Sequence, residues 1–434
     1  MKDLPRGFEL TIPTRWILDA TAAASTVLGA AAKAHGLSEE EVLLVVLADA
    51  HPARGTRSPW AAYAETLPPV APDAGSWLPG VEQGLLAGTD LGAALLTEEE
   101  GLVALHARVT ASAGELFRLQ PSGNGSGSSG SSGGGGVPLS LAHLRWARGM
   151  LLSRRFAALP SPRQSDAGEQ GLWGEQGSLV PLMDIGNHAA TARVCTRGFA
   201  GDATEVREVG VGAGVESVTL VNQMPRRKGE EVFNNYGTRK SNEELLAAYG
   251  FALPGNAADR VMLRIASTAE AAAAEGAPAV QPTVCYVDRA GMTGELLEAL
   301  VANASSAAAA AAGGGGGAAA AAAQEDEDED EDDEAMDAAE LAAVTLLGEA
   351  LADKLNQLRE TMPSEAAFAQ AAAASPMSQQ RAASVKHYRK GLERVLEATL
   401  RECEAMASGG ELLECHTEAM LHEMERVQQQ KHSL

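Results

Sequence analysis

The chain has 434 residues, enough for two or three domains with a sizeable core. Its formal net charge is −24 at pH 7, and such an excess of acidic residues disfavours nucleic acid, which is bound by basic patches. No apolar run reaches the length of a membrane-spanning helix, about 18 residues, and the four cysteines form no Cys-x-x-Cys pair. We therefore expect an intracellular protein that binds neither nucleic acid nor membranes and holds no structural metal.

Residues 14–120 predict a series of helices. Within them, Ser38-Glu39-Glu40-Glu41 is a helix-capping signature. It precedes an apolar stripe made by Leu43, Leu44, Val46 and Leu47. The nearly pure Gly/Ser run at 122–136 predicts a flexible linker, because it has no side chains with which to build a core.

The next region changes from helical to strand-like patterns. Residues 141–157 predict another helix, with apolar residues near helical spacing. Residues 178–265 contain short apolar runs separated by Gly, Pro and Asn, which predicts short strands joined by tight turns. These runs lie at 179–183, 218–221, 232–233 and 261–265.

The remainder is predicted to be helical beyond residue 335, where leucines and valines recur three or four positions apart. Before it, residues 304–334 pass through polyalanine and polyglycine into ten consecutive acidic residues. Adjacent carboxylates repel one another, so this insert is predicted to be a mobile loop. The pattern as a whole indicates an α+β fold, with a small β-rich block between helical regions.

Two polar segments stand out inside the β-rich block. The first runs from Leu179 to Asn187-His188, and an Asn-His pair can offer an amide and backbone groups to a polar ligand. The second ends in Tyr236 before a glycine, where the hydroxyl can lie at a pocket rim. Taken singly, these residues also fit ordinary turn or half-buried positions.

Together and in this order, the segments resemble the C-terminal half of the SET domain, in the branch that includes the RuBisCO large-subunit lysine methyltransferase and the actin-histidine methyltransferase. The matching residues are Pro181, Asp184, Asn187 and His188, then Gly229, Glu230 and Tyr236, then Ser241, Asn242, Glu244, Leu245, Tyr249, Gly250 and Phe251. Similar stretches lie upstream at 146–147 and 153–156, and around Ser58, Trp60, Tyr63 and Pro68. The resemblance covers most of the chain outside the linker and the insert.

The resemblance implies an α+β fold with a small β-rich SET domain, a helical insert and an all-α C-terminal substrate-binding domain. Residues 1–13 would hold a remnant of the N-terminal SET strands without the cofactor hairpin, and residues 14–140 the helical insert with its linker. Residues 141–265 would form the catalytic core, and residues 266–434 the substrate-binding domain.

The implied function is S-adenosylmethionine-dependent N-methylation of lysine in a non-histone protein, such as a RuBisCO-like or other abundant protein. By the same resemblance, Arg154 would contact the cofactor carboxylate, and Asn187 with the backbone of His188 would hold its amino-acid and adenine parts. Tyr236 would contact the cofactor and act as the catalytic residue. The predicted substrate-binding residues are Ser153, Phe156, Met183 and Tyr249. We expect a monomer in the chloroplast, the cytoplasm or the nucleus.

Two alternatives stay open at this point. The family's Gly-x-Gly hairpin contacts the cofactor, but Leu4–Pro13 resembles only the strand that follows it. A cofactor-deficient SET-like binding module is therefore one alternative, because the loss of polar partners weakens binding. A histidine methyltransferase is the other, although Phe156, Met183 and Tyr249 favour an apolar lysine stem over an imidazole, which needs a hydrogen-bond partner.

Overall fold

A computed structural model describes residues 3–55, 58–112, 137–156, 177–189, 192, 194–199, 217–237, 239–265, 283–289, 291, 296, 300–301 and 329–407. The chain divides into two compact units. The first comprises Met1–Gly84, Leu91–Lys240 and Glu244–Phe251, and the second comprises Leu85–Asp90, Ser241–Glu243 and Ala252–Leu434. The predicted linker at 122–136 and residues 304–328 of the predicted insert lie outside the described residues.

The described part of the chain contains ten α-helices and seven strands, of which Val194–Phe199 and Thr283–Asp288 lie outside the predicted runs. The helices are α1 (Ala20–Ala24), α2 (Val27–Ala34), α3 (Glu39–Asp49), α4 (Ala61–Ala64), α5 (Asp90–Ala111), α6 (Leu141–Arg154), α7 (Asn242–Tyr249), α8 (Glu329–Glu360), α9 (Glu365–Ala372) and α10 (Pro376–Ala407). The strands are β1 (Phe8–Pro13), β2 (Arg155–Phe156), β3 (Ser178–Leu179), β4 (Val194–Phe199), β5 (Ser217–Asn222), β6 (Arg260–Ile265) and β7 (Thr283–Asp288).

Helix α3 is the centre of the first unit's helical core. Its start is fixed as predicted: the Glu41 N–H donates to the Ser38 hydroxyl, and the Ser38 N–H donates to the Glu41 carboxylate. Every residue from Val42 to Asp49 is buried, so the helix is covered on all sides and not only along one stripe. Helix α6 packs against it and carries Leu144, Ala147 and Met150 into the same cluster.

Helix α6 ends at Arg154, three residues before the predicted end. Arg155 and Phe156 leave the helix because they pair with Leu179 and Ser178 in the two-stranded β2–β3 sheet. Such pairing joins residues distant in sequence, and a local helical pattern does not report it. Arg154 is thereby held at the junction of a helix and a strand.

The first unit's main sheet is antiparallel, with β5 between β1 and β4. In the β1–β5 register Ile12 lies opposite Val218, and the Thr11 and Thr219 hydroxyls are 2.7 Å apart. The core next to this sheet contains Ile12, Ile17, Val180, Met183, Val218 and Leu220, with Leu10 and Phe156 packed against it. This core supports the turn that carries Asp184.

Two predicted strands take another form. The run at 179–183 is a strand only at Leu179; after it, Leu182 adopts a φ of 71°, and Met183–Ile185 form a 3₁₀ turn. The run at 232–233 is followed by a single parallel bridge at Asn234. In both places the chain turns to meet another segment, so regular strand pairing is replaced by isolated contacts.

In the second unit, helices α8 and α9 pack against α10, which also contacts the β6–β7 hairpin. Helix α8 begins at Glu329, inside the acidic run that the sequence analysis assigned to the mobile insert, so the prediction of a loop is wrong for residues 329–334. Acidic residues near the start of a helix interact favourably with its dipole, which offsets part of their mutual repulsion.

Within the described part of the chain, no helix is long and apolar enough to cross a membrane. The same residues hold no group of three or more His, Cys, Asp or Glu side chains that could bind a metal ion.

Candidate functional site

Two segments of the first unit, residues 186–189 and 232–237, pair through a parallel bridge between His188 and Asn234; we call this pair of segments the crossing. The Asn234 N–H donates to the Asn187 carbonyl at 2.7 Å, and the Ala189 N–H donates to the Asn234 carbonyl at 3.0 Å. A Cβ atom at Gly186 would stand 3.3 Å from Asn234 Cβ, so a side chain there would crowd the contact. Backbone hydrogen bonds therefore hold together two segments distant in sequence.

Tyr236 is held at the crossing through both its backbone and its side chain. Its hydroxyl donates to the Gly186 carbonyl at 3.0 Å, and its N–H donates to His188 Nδ1 at 3.1 Å. Because Nδ1 accepts, His188 is neutral in this arrangement. Burial, assisted by the charge of Lys240, lowers the pKa of His188 and favours the same state.

Aromatic rings extend from Tyr236. Its ring stacks on that of Tyr249 with centroids 4.3 Å apart, and on that of His188 at 5.2 Å. The centroid of the Phe251 ring lies 6.2 Å from the ring centroids of both His188 and Tyr249. Burial raises the pKa of Tyr236 and raises that of Tyr249 to about 12, so both hydroxyls stay neutral at physiological pH.

Gly250 places Tyr249 and Phe251 around this stack. It follows the last residue of α7 with a φ of 73°, and its N–H donates to the Leu246 carbonyl. A Cβ atom at this position would stand only 1.9 Å from the Pro72 carbonyl oxygen. Both the backbone angle and the close approach therefore require glycine.

Next to the crossing along the chain, Asp184 forms an ion pair with Arg154 in which some of the polar atoms lack a hydrogen-bond partner in the part of the chain that the structure describes. Arg154 Nη1 donates to the Asp184 carbonyl at 3.1 Å and lies 3.6 Å from Asp184 Oδ2. The Tyr63 hydroxyl donates to the same Oδ2 at 2.5 Å. Among the described residues, Asp184 Oδ1 and Arg154 Nε are buried without a hydrogen-bond partner. Burial raises the pKa of Asp184, and its bonds to Tyr63 and Arg154 oppose that shift.

The predicted cofactor residue Asn187 is exposed at the crossing. Its side-chain amide donates to Glu231 Oε1 at 2.5 Å, while its carbonyl holds the N–H of Asn234. An exposed amide can exchange one hydrogen-bond partner for another at small cost. Asn187, His188 and Tyr236 are thus brought together by the crossing, and Arg154 lies on the Asp184 side of it.

The predicted substrate-binding residues are divided between the stack and the core. Tyr249 lies in the aromatic stack, whereas the Ser153 hydroxyl donates to the Gly149 carbonyl of its own helix at 2.6 Å. Met183 is 2% exposed in the core next to the main sheet, and Phe156 packs against that core. Their roles toward a substrate stay predictions.

The sequence analysis missed the contact between Tyr63 and Asp184, although both residues were part of the resemblance. They lie 121 positions apart, on the helical insert and on the 3₁₀ turn. The only sequence signal for this contact is indirect: an aspartate in an apolar segment is expected to need a hydrogen-bond donor once it is buried. The analysis also missed Glu231 as the partner of Asn187.

Similarity to curated proteins is confined to segments. A ribosomal lysine N-methyltransferase of Schizosaccharomyces pombe is 53% identical over 88 residues, which are 20% of this chain and 14% of that protein. The chloroplastic ribulose-1,5-bisphosphate carboxylase/oxygenase large subunit N-methyltransferase of Nicotiana tabacum is 32% identical over 132 residues, which are 30% of this chain and 23% of that protein. The chain thus matches less than a quarter of the length of either relative. No model of a protein family matches it.

The fold matches solved structures over nearly the whole chain. The SET domain of LSMT bound to lysine and AdoHcy has a TM-score of 0.62 at 19% identity, covering 93% of this chain and 83% of that chain. RuBisCO LSMT bound to AdoMet has a TM-score of 0.60 at 19% identity, covering 94% of this chain and 84% of that chain. The prediction of a SET fold, with small sheets, helices and a helical C-terminal region, is confirmed. The chain thus has the fold of the LSMT SET domain, and it shares two segments with curated lysine methyltransferases.

Proposed function

We propose that the protein is an S-adenosylmethionine-dependent protein-lysine N-methyltransferase that acts on a non-histone protein. The observation that carries the proposal is the position of Tyr236, whose hydroxyl and N–H are both anchored at the crossing while its ring stacks on Tyr249. A neutral, fixed hydroxyl can orient an attacking amine and stabilise the charge that shifts during transfer. The segments shared with curated lysine methyltransferases support the same activity.

The residues around the crossing fit the proposed cofactor. Arg154 Nε is a buried donor with no partner in the described part of the chain, and a cofactor carboxylate would satisfy it through a charge-assisted bond. The exposed amide of Asn187 can both donate and accept toward polar groups. When bound, S-adenosylmethionine supplies a methyl group on a positively charged sulfonium.

The aromatic stack also suits a lysine substrate. Methyl transfer needs a neutral amine, and a desolvated site beside a cation lowers the pKa of lysine. Tyr236 and Tyr249 stay uncharged, so their hydroxyls can accept hydrogen bonds from that amine without adding a negative charge that would favour its protonated form. The apolar side chains at Phe156 and Met183 favour an aliphatic stem over an imidazole.

The test combines cofactor binding with identification of the methylated residue. Calorimetric titration of the full chain with S-adenosylmethionine is expected to show saturable, stoichiometric binding. The chain is then incubated with methyl-labelled cofactor and three separate substrates: RuBisCO large subunit, ribosomal proteins and histones. The two curated relatives, a RuBisCO large-subunit and a ribosomal lysine methyltransferase, suggest the first two.

Amino-acid analysis of the labelled protein is expected to give methyl-lysine from a non-histone substrate, with much less label when the Tyr236→Phe variant is used as the control. Label in methyl-histidine would favour the histidine-directed alternative, and label confined to histones would contradict the proposed substrate class. A chain that binds no cofactor but retains a protein partner would be the cofactor-deficient binding module.

A further inference from the structure

We infer that Tyr63 is a positioning residue that acts through Asp184 to hold the Arg154 guanidinium ready for the carboxylate of the cofactor. The inference rests on the proposed function, and it gives the helical insert a part in cofactor binding. Tyr63 lies on α4 in the insert, Asp184 on the 3₁₀ turn Met183–Ile185, and Arg154 at the last position of α6.

The packing fixes where the Tyr63 hydroxyl points. The residue is 8% exposed and belongs to the same buried cluster as Leu144, Ala147 and Met150 of α6. The helix that positions the Tyr63 ring therefore also carries Arg154. A hydroxyl on such a ring is an immobile donor, and its contact with Asp184 Oδ2 at 2.5 Å has the short distance of a bond to a charged acceptor.

The hydroxyl limits how Arg154 can pair with Asp184. A guanidinium and a free carboxylate favour a two-bond fork in which both oxygens are used. Here Tyr63 occupies Oδ2, and Arg154 lies 3.6 Å from that oxygen while its Nη1 donates to the Asp184 backbone carbonyl. Arg154 Nε and Asp184 Oδ1 are left without partners among the described residues. The guanidinium is anchored at one nitrogen and keeps another donor for a ligand.

Removal of the hydroxyl releases the Asp184 carboxylate from the position in which Tyr63 holds it, 3.6 Å from Arg154 Nη1. In Tyr63→Phe the ring still fills its place in the core, but the guanidinium can turn toward the carboxylate and form the fork. Nε is then used within the protein, so a ligand carboxylate loses a charge-assisted bond. We expect the dissociation constant for S-adenosylhomocysteine to rise about tenfold or more.

The chain offers a closely matched control. Tyr388 on α10 of the second unit is also buried, and its hydroxyl donates to Glu243 Oε2 at 2.5 Å. Tyr388→Phe removes the same chemical group from the same kind of bond. It is expected to lower the melting temperature about as much as Tyr63→Phe while leaving the dissociation constant unchanged.

The experiment measures the dissociation constant for S-adenosylhomocysteine by calorimetry, together with the melting temperature. The proteins compared are the parent, Tyr63→Phe, Tyr388→Phe, Asp184→Asn and the Tyr63→Phe/Asp184→Asn double variant. If Tyr63 acts through Asp184, the second substitution adds little to the effect of the first. Equal affinity in Tyr63→Phe and the parent, or fully additive losses in the double variant, would overturn the inference while leaving the proposed function intact. A parent that binds no cofactor would contradict both.

Discussion

Each unit of the molecule holds a buried tyrosine whose hydroxyl donates to a carboxylate at 2.5 Å: Tyr63 to Asp184 in the first, and Tyr388 to Glu243 in the second. In both pairs burial raises the pKa of the carboxyl and of the tyrosine. The pairs differ in the arginine beside them. Arg154 keeps a buried Nε without a partner in the described residues, whereas Arg389, next to Tyr388, donates to three backbone carbonyls.

The carbonyl partners explain how the second unit can bury a whole guanidinium. Arg389 is fully buried, and it donates to the carbonyls of Leu85, Ala87 and Leu358. Leu358 lies in the last turn of α8, where the negative end of the helix dipole partly compensates the positive charge. Arg389 thus connects α10 to the segment that contains Leu85 and Ala87 and to the C-terminal end of α8, and no ligand is needed to satisfy it.

The comparison distinguishes a structural polar cluster from one prepared for a ligand. A buried donor or acceptor without a partner costs free energy, so a satisfied set stabilises the fold and an incomplete set leaves a group that a ligand can satisfy. The crossing beside Arg154 supplies a reason for the incompleteness, because the predicted cofactor residues meet there. Substitutions should therefore change stability in one region and ligand affinity or turnover in the other.

The largest expected effect is on stability, from Arg389→Met. The three carbonyls lose their donors, each at a cost of about 1–3 kcal/mol, while the removal of a buried charge offsets part of the loss. We expect the free energy of unfolding to fall by about 3 kcal/mol. Urea unfolding measures it, with the exposed neighbour Lys390→Met as control. Equal unfolding midpoints for the two variants would show that the carbonyl cluster does not stabilise the second unit.

The next effect is on turnover, from Tyr236→Phe. The ring and its stack remain, but the hydroxyl bonded to the Gly186 carbonyl is lost, so the site can no longer orient the amine with it. We expect kcat to fall about 10²-fold, equivalent to about 2.7 kcal/mol, with little change in melting temperature. Tyr286→Phe on β7 is the matched control. Near-parental turnover in Tyr236→Phe would remove the residue from the catalytic role.

A smaller effect is expected on cofactor affinity, from Asn187→Ala. Its exposed amide contributes little to folding, but it can bind polar groups of the cofactor. We expect affinity to fall about tenfold, or about 1.4 kcal/mol, with an almost unchanged melting temperature without cofactor. Glu231→Ala removes the amide's partner within the protein and is expected to leave affinity equal or higher. If both variants bind like the parent, Asn187 is only a turn residue.

These contrasts also show which parts could be predicted from the sequence. Asn187, His188 and Tyr236 were singled out as cofactor residues because short motifs in a fixed order carried a specific resemblance, and the structure brings these residues together. The Ser38 cap of α3 was predicted because its hydrogen bonds join residues three apart. In both cases the determining pattern is local or already known as a motif.

The remaining features depend on contacts between residues distant in sequence. The end of α6 at Arg154 follows from the pairing of Arg155 and Phe156 with β3. The Tyr63–Asp184 bond joins helix α4 to a 3₁₀ turn, and no periodicity relates the two. The burial of Met183 follows from the backbone turn at Leu182, where a positive φ directs the chain into the core. None of these contacts leaves a local signal in composition or spacing.

The smallest expected effect is a loss of stability in mild acid from the helical core of the first unit. His51 and His143 are 4.9 Å apart, and each uses Nδ1 to accept a backbone N–H, from Ala53 and Ser140 respectively. Burial, with a further contribution from the charge of Arg54, lowers the pKa of both. Their neutral forms are therefore the ones that the folded state stabilises.

The direction of this pH effect on stability follows from how many protons the folded and unfolded states bind. Below the ordinary histidine pKa, about 6.5, the unfolded chain binds protons that the folded chain does not, so the histidine contribution is complete above that pH and is lost as the pH falls below it. His143→Asn keeps an acceptor oxygen near the position of Nδ1 but cannot titrate. Urea midpoints at pH 7.5 and 5.5 should therefore differ less for His143→Asn than for the parent. An equal pH dependence in the two proteins would show that His143 is not one of the groups that destabilise the first unit in acid.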